Sequence, residues 1–153
     1  MKASNGTMIL ELSSTKRCQA EADYFKEFEN AGQDLNGGAT YEGESYTFYY
    51  VREEDDRILG MLNLRQGNPE CGNLGYSIRP SEQGKGYGKM LLEQALELCP
   101  TFGITNPKVV VLKSNVKSQK VLKDNGFKQI SKSQRSDGQE VLAYAKAGAT
   151  EIN

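Results

Sequence analysis

The chain has 153 residues, 19 basic and 20 acidic side chains, 37% hydrophobic residues and no histidine. The near-zero net charge gives no global support for binding nucleic acid or a membrane surface. Without histidine, Ser-His-Asp and Cys-His mechanisms are excluded, and acid–base work falls to Asp, Glu, Tyr, Cys, Lys or water.

The length fits one domain, residues 1–153, large enough to bury a core. A mean hydropathy of −0.62 suits a polar-surfaced protein. The start, Met1 to Gly6, is polar, and no segment approaches membrane-spanning length. Cys18, Cys71 and Cys99 are odd in number and unclustered. They fit a reducing cytoplasm, offer no disulfide framework and make no metal site.

In chain order, Met8–Leu12 reads as a first strand. From about Ser14 to Gln33 the pattern is helical, with Tyr24, Phe25, Phe28 and Ala31 spaced for one apolar face and Ser13 or Ser14 as a cap. Asn36-Gly37-Gly38 ends that helix, and a loop runs to about Ser45. Tyr46–Val51 and Ile58–Leu64 form a hairpin around the charged turn of residues 53–56. After a turn at residues 67–70, Leu74–Ile78 is a strand. It leads into Arg79-Pro80-Ser81-Glu82-Gln83-Gly84-Lys85-Gly86-Tyr87-Gly88-Lys89, which opens a helical run, Met90–Leu98. Val109–Leu112 is a buried-type strand, and Asn115–Asn125 is a short helix closed by Gly126. Phe127–Ile130 and Val141–Tyr144 close the chain as an antiparallel pair around residues 136–138. The order describes a mixed α/β (α+β) sandwich.

The glycine run carries the chemistry. A strand, a glycine turn and a helix N-terminus together form an anion site, because first-turn N–H groups are unpaired and the helix dipole is positive there. Glycines let the backbone approach a phosphate closely. The alternative is a merely flexible turn. A P-loop-like nucleotide site is disfavoured, since no Gly-Lys-[Ser/Thr] ending follows.

Gln83-x-x-Gly86-x-Gly88 preceded by Ile78-x-Pro80, with Asn115-x-x-Ser118 and Asn125-Gly126-Phe127 downstream, resembles the GCN5-related N-acetyltransferases. The run Gly75-Tyr76-Ser77-Ile78-Arg79-Pro80-Ser81-Glu82 is most similar to that superfamily's bacterial predicted-acetyltransferase group. The motifs span residues 72–127.

The resemblance implies a mostly antiparallel central sheet with helices on both faces. It also implies a V-shaped splay between the fourth and fifth strands counted from Met8. Acetyl-CoA would be the co-substrate, with its pantetheine paired to backbone near Ile78 and Arg79. Its pyrophosphate would sit on N–H groups of Gly84, Lys85, Gly86, Tyr87 and Gly88. Lys85 and Lys89 would flank it, Asn115 would bond the pantetheine arm, and Gln83 and Ser118 would belong to the same cofactor site. Lys120 is either part of a solvated lysine face or a contact to the ribose 3′-phosphate.

Relatives often carry a tyrosine four residues beyond the Ser118-type position to protonate the leaving thiolate, but here that residue is Leu122. Ser118 is the alternative hydrogen-bond donor to the sulfur. The positions at which relatives place a base are Gly72 and Leu74, so Glu70 and Tyr76 are the nearest titratable groups. The expected activity is direct acetyl transfer to an amine on a small molecule or peptide, with no nucleic acid or membrane partner and with a homodimer left open. The alternative is a non-catalytic acyl-CoA-binding module.

Overall fold

The computed structural model describes residues 2–5, 8–12, 18–33 and 45–146. Five strands form the larger sheet in the order β1-β2-β3-β4-β5, all antiparallel: β1 (Lys2–Asn5), β2 (Met8–Leu12), β3 (Ser45–Arg52), β4 (Arg57–Arg65) and β5 (Leu74–Ile78). β1 is not expected from the sequence. Its polar residues lack a strand-like apolar pattern, yet they pair Lys2 with Glu11 and Asn5 with Met8 on the outer edge of the sheet. Edge strands tolerate such composition because one side faces water.

A second sheet has the order β6-β8-β7, from β6 (Lys108–Leu112), β7 (Lys128–Gln134) and β8 (Glu140–Ala145). The closing antiparallel pair is present, but β7 is longer than expected, and β8 lies between β7 and β6.

Side chains alternate across the larger sheet and feed two cores. Phe48, Tyr50, Leu59, Leu62 and Leu64 pack beneath α2 (Tyr87–Leu98) with Leu91, Leu92 and Ala95. Tyr49, Val51, Ile58 and Met61 pack on the opposite face against Tyr24 and Phe28 of α1 (Cys18–Ala31). The register slips between Tyr50 and Val51, leaving Leu59 as an extra residue in β4. This bulge lets Ile58 and Met61, three apart, share one face.

The apolar face of α1 is narrower than its sequence pattern. Phe25 is 36% exposed and Ala31 is exposed, so Tyr24 and Phe28, one turn apart, carry the packing. The helix ends at Ala31, before the expected glycine stop. That stop, the caps at Ser13 and Ser14, and the loop after residue 33 lie outside the described residues.

α2 begins at Tyr87 rather than Met90, which places Gly88 and Lys89 in its first turn. α3 (Val116–Asp124) ends in a Schellman arrangement: the Phe127 N–H bonds Leu122 O at 3.0 Å, and the Gly126 N–H bonds Lys123 O at 3.0 Å. Phe127 and Leu122 then meet in the core. Among the described residues, no helix is long and apolar enough to cross a membrane.

Burial also shapes the response to alkali. It raises the phenols of Tyr24, Tyr49, Tyr50 and Tyr76 above their ordinary 10.0, with desolvation the largest cause for each. The folded chain therefore keeps these protons to higher pH than the unfolded chain does. Stability is complete below the unfolded value and is lost as pH rises past it, by up to about 1.4 kcal/mol per pH unit for each phenol. Urea melts are expected to give similar midpoints at pH 7 and 9 and a steep decline above pH 10. A midpoint unchanged between pH 9 and 11.5 contradicts the burial of these hydroxyls.

Candidate active site

The segment between β5 and α2 is held from below by charge. Glu82, buried in the 3₁₀ turn Pro80–Glu82, lies 3.0 Å from Lys85, 3.6 Å from Arg57 and 4.0 Å from Arg52. Glu27 of α1 accepts the Ser81 N–H at 2.8 Å and stands 3.4 Å from Arg79 and 3.7 Å from Arg57. The Ser81 hydrogen bonds and these two cations lower the Glu27 carboxyl against a counteracting burial.

On this base the glycines form an open cradle. Gly84 and Gly86 have φ of 81° and 86°, and a Cβ on either would meet nothing within 4 Å. Their glycines therefore answer a backbone requirement and leave an empty surface above the loop. Gly86 is the N-cap of α2, with no side-chain cap and no acidic residue in the first turn. No acceptor among the described residues takes the N–H groups of Gly84, Lys85, Gly86, Tyr87 or Gly88. An uncapped 12-residue helix offering successive N–H groups suits a diphosphate.

Beside the cradle, β5 has a free edge. Arg79 N–H bonds Leu59 O, and Asn73 O accepts from Arg65 N–H, both on the β4 side. Alternation along an antiparallel ladder then turns the backbone groups of Tyr76 and Ile78 away from β4, toward β6. Among the described residues, no strand pairs with them there. Among the described residues, the backbone bonds that join the two strands lie at their starts, where Gly72 and Asn73, just before β5, meet Val109 and Lys108 of β6. This is the V-shaped splay, between the fifth and sixth strands once β1 is counted.

Tyr76 and Ser118 come together across the splay, with their hydroxyl oxygens 2.9 Å apart. Burial raises the Tyr76 phenol, partly offset by this hydrogen bond, so Tyr76 stays protonated. Ser118 is set by Asn115, the N-cap of α3, whose Oδ1 accepts the Ser118 N–H at 3.1 Å. Such a cap stabilises a helix by about 1 kcal/mol. Leu122 is fully buried, so its position holds no protic group.

The other residues singled out in the sequence are spread around this pair. Gln83 donates to Ile78 O at 2.9 Å and to Gln33 at 3.0 Å, so the Ile78 carbonyl is already engaged. The Arg79 side chain is buried away from the cradle, 5.6 Å over the Tyr24 ring. Its N–H goes to Leu59, and its carbonyl accepts from Glu82 N–H. Arg79 is thus a support beneath the loop. Lys89 is exposed at the start of α2, and Lys120 pairs with Asp124 at 3.0 Å on an exposed face. Glu70 is exposed in the turn before β5, outside the Tyr76–Ser118 pair. Cys99 is buried in the core with its thiol pushed up to about 12 by desolvation, an inert placement.

A second hydroxyl pair is not evident from the sequence. On the α1 face of β5, Tyr24 Oη lies 3.1 Å from Ser77 Oγ. Tyr76 and Ser77 are neighbours in the strand, so their side chains leave on opposite faces. Glu82, Arg57 and Glu27 are likewise unexpected as anchors. Glu82 stands inside the motif, but nothing in the sequence marks its partners.

A model of the Acetyltransferase (GNAT) family matches residues 12–127. The chain belongs to this acetyltransferase family. It is accordingly an N-acetyltransferase, of a family whose members move acetyl groups to amines. No curated protein matches it.

Solved structures share the fold. The ribosomal-protein-S5-alanine acetyltransferase from Vibrio fischeri has a TM-score of 0.78 at 14% identity over 100% of both chains. RimL, a ribosomal L7/L12 alpha-N-protein acetyltransferase in complex with coenzyme A, has a TM-score of 0.78 at 15% identity, covering 97% of this chain and 98% of that one. A mutant form of the spermidine N-acetyltransferase SpeG from Vibrio cholerae has a TM-score of 0.72 at 15% identity, covering 97% of this chain and 98% of that one.

Proposed function

We propose that the protein uses acetyl-CoA as its donor and transfers the acetyl group directly to a cationic primary amine. The observation that carries this reading is the uncapped N-terminus of α2 beside the free edge of β5, with the Tyr76–Ser118 hydroxyl pair across the gap. When bound, acetyl-CoA supplies an activated acetyl thioester. The N–H groups of residues 84–88 hold its diphosphate, and the outward backbone groups of Tyr76 and the Ile78 N–H pair with its arm. Tyr76, kept protonated by burial, holds a proton ready for the departing sulfur through or beside Ser118. On the other face of β5, the half-buried Ser77 presents a hydroxyl to an incoming amine, braced from behind by the buried Tyr24 hydroxyl. Direct attack needs only positioning, charge stabilisation and deprotonation.

Charge along the chain supports the acceptor class. Residues 18–33 and 45–56, which include α1 and the β3–β4 turn, contain eight acidic and two basic side chains. Residues 108–146, which include β6 and α3, contain nine basic and three acidic ones. The two ends of the site thus attract substrates of opposite sign. The structural neighbours act on ribosomal protein and on spermidine, and both kinds of amine belong in the first screen.

The test is release of free thiol from acetyl-CoA in the presence of spermidine, lysine and peptides with free N-termini. The expected result is turnover with at least one cationic acceptor, falling as salt rises. The buried Leu122 favours one other reading, a non-catalytic acyl-CoA-binding module. Acetyl-CoA at about 100 times its Kd stabilises by about 2.7 kcal/mol under either reading. Stabilisation without thiol release across the panel would assign the module instead.

A further inference from the structure

We propose that Asn73 is the positioning residue that sets the splay, and with it the affinity for acetyl-CoA; this rests on the acetyltransferase reading above. Asn73 is 4% exposed and stands beside the Gly72–Val109 bridge, the one β-bridge between the two sheets among the described residues. Its peptide is divided between them. The N–H donates to Lys108 O of β6 at 2.6 Å, while the C=O accepts from Arg65 N–H of β4 at 2.7 Å. In a regular strand, the N–H and C=O of one residue point to the same side.

The side chain completes the division. Oδ1 accepts the Lys108 N–H at 3.0 Å, and Nδ2 donates to Arg65 O at 3.0 Å and Gly67 O at 2.8 Å. Lys108 is therefore gripped by both its backbone groups, as a paired strand would grip it. One of the two grips is a side chain, however, so the pairing has no next rung. The strands are pinned at Asn73 and free beyond it. Gly72 makes the close approach possible: its φ is +89°, and a Cβ there would fall 2.7 Å from Lys108 O. Every buried polar atom of Asn73 is thereby partnered, which makes this a rigid vertex.

The experiment compares Asn73→Ala with Phe28→Leu, a core change on α1 far from the vertex. Both variants are expected to melt earlier than wild type. Only Asn73→Ala is expected to raise the acetyl-CoA Kd, at least tenfold by calorimetry at 20 °C, and to lose hydrogen-exchange protection at the Lys108 amide. If Asn73→Ala fails to fold, Asn73→Ser takes its place with the same expectation. A Kd within twofold of wild type in the folded Asn73 variant overturns the proposal. A wild-type protein that binds no acetyl-CoA overturns the acetyltransferase reading itself, whatever the Lys108 amide shows.

Discussion

Gly86→Glu is expected to abolish acetyl-CoA binding in a chain that still folds. Gly86 adopts φ 86° as the N-cap of α2. A side chain there costs about 1–2 kcal/mol in backbone strain. It meets no neighbour within 4 Å, so nothing in the core moves. The same open space is where the proposed function puts the diphosphate. A carboxylate placed there opposes an anion at about 5 Å, worth about 3 kcal/mol at an effective dielectric of 20. That is roughly two decades in Kd before any steric term. Gly86→Ala separates the two effects, since it adds the strain without the charge. Calorimetry and circular dichroism on both variants check the result. Native dichroism with wild-type affinity in Gly86→Glu means that the diphosphate lies elsewhere.

The parts of this site that depend on backbone chemistry were legible in the sequence. Glycines before a helical run imply a positive-φ turn and a bare helix N-terminus. The short helix from Asn115, closed by Gly126, was legible in its extent, but the Asn115 cap on Ser118 N–H came only with the structure. The strand–glycine–helix order indicated where an anion would bind. What was not legible depends on contacts between distant residues. In the sequence, Tyr76 is one of the nearest titratable groups to the motif, with its role open. Only the fold shows its hydroxyl against Ser118, 42 residues away, buried so that it holds its proton. For Arg79 the motif implies a backbone contact and says nothing of the side chain, which turns under α1, where Glu27 and the Tyr24 ring receive it. Asn73 gave no signal, since an asparagine after a glycine in a turn is ordinary until Lys108 is seen against it. Residues 2–5 gave none either, because an edge strand needs no apolar face.

Tyr76→Phe is the decisive test of the chemical step. The ring stays in place, so folding and acetyl-CoA affinity are expected to remain close to wild type. The proton is gone, so kcat is expected to fall about a hundredfold, a common contribution of one general acid. Ser118→Ala breaks the same hydrogen bond from the other side and is expected to lower kcat about tenfold, as the loss of one hydrogen bond to a developing charge does. If the two hydroxyls act as one unit, the double variant falls little further than Tyr76→Phe alone. The pH profile adds an independent constraint. Burial holds the Tyr76 phenol above 10.0, so no alkaline loss of a proton donor is expected below pH 10. Turnover should rise with pH as the acceptor amine deprotonates, then level off. Tyr76→Phe should lower that plateau without moving the rise, because the rise belongs to the amine. An alkaline fall near pH 8 or 9 in the wild type, with Tyr76→Phe unchanged in rate, would transfer the proton to another group. Tyr87 is then the next candidate, since it stands at the first turn of α2, beside the N–H groups proposed to hold the diphosphate.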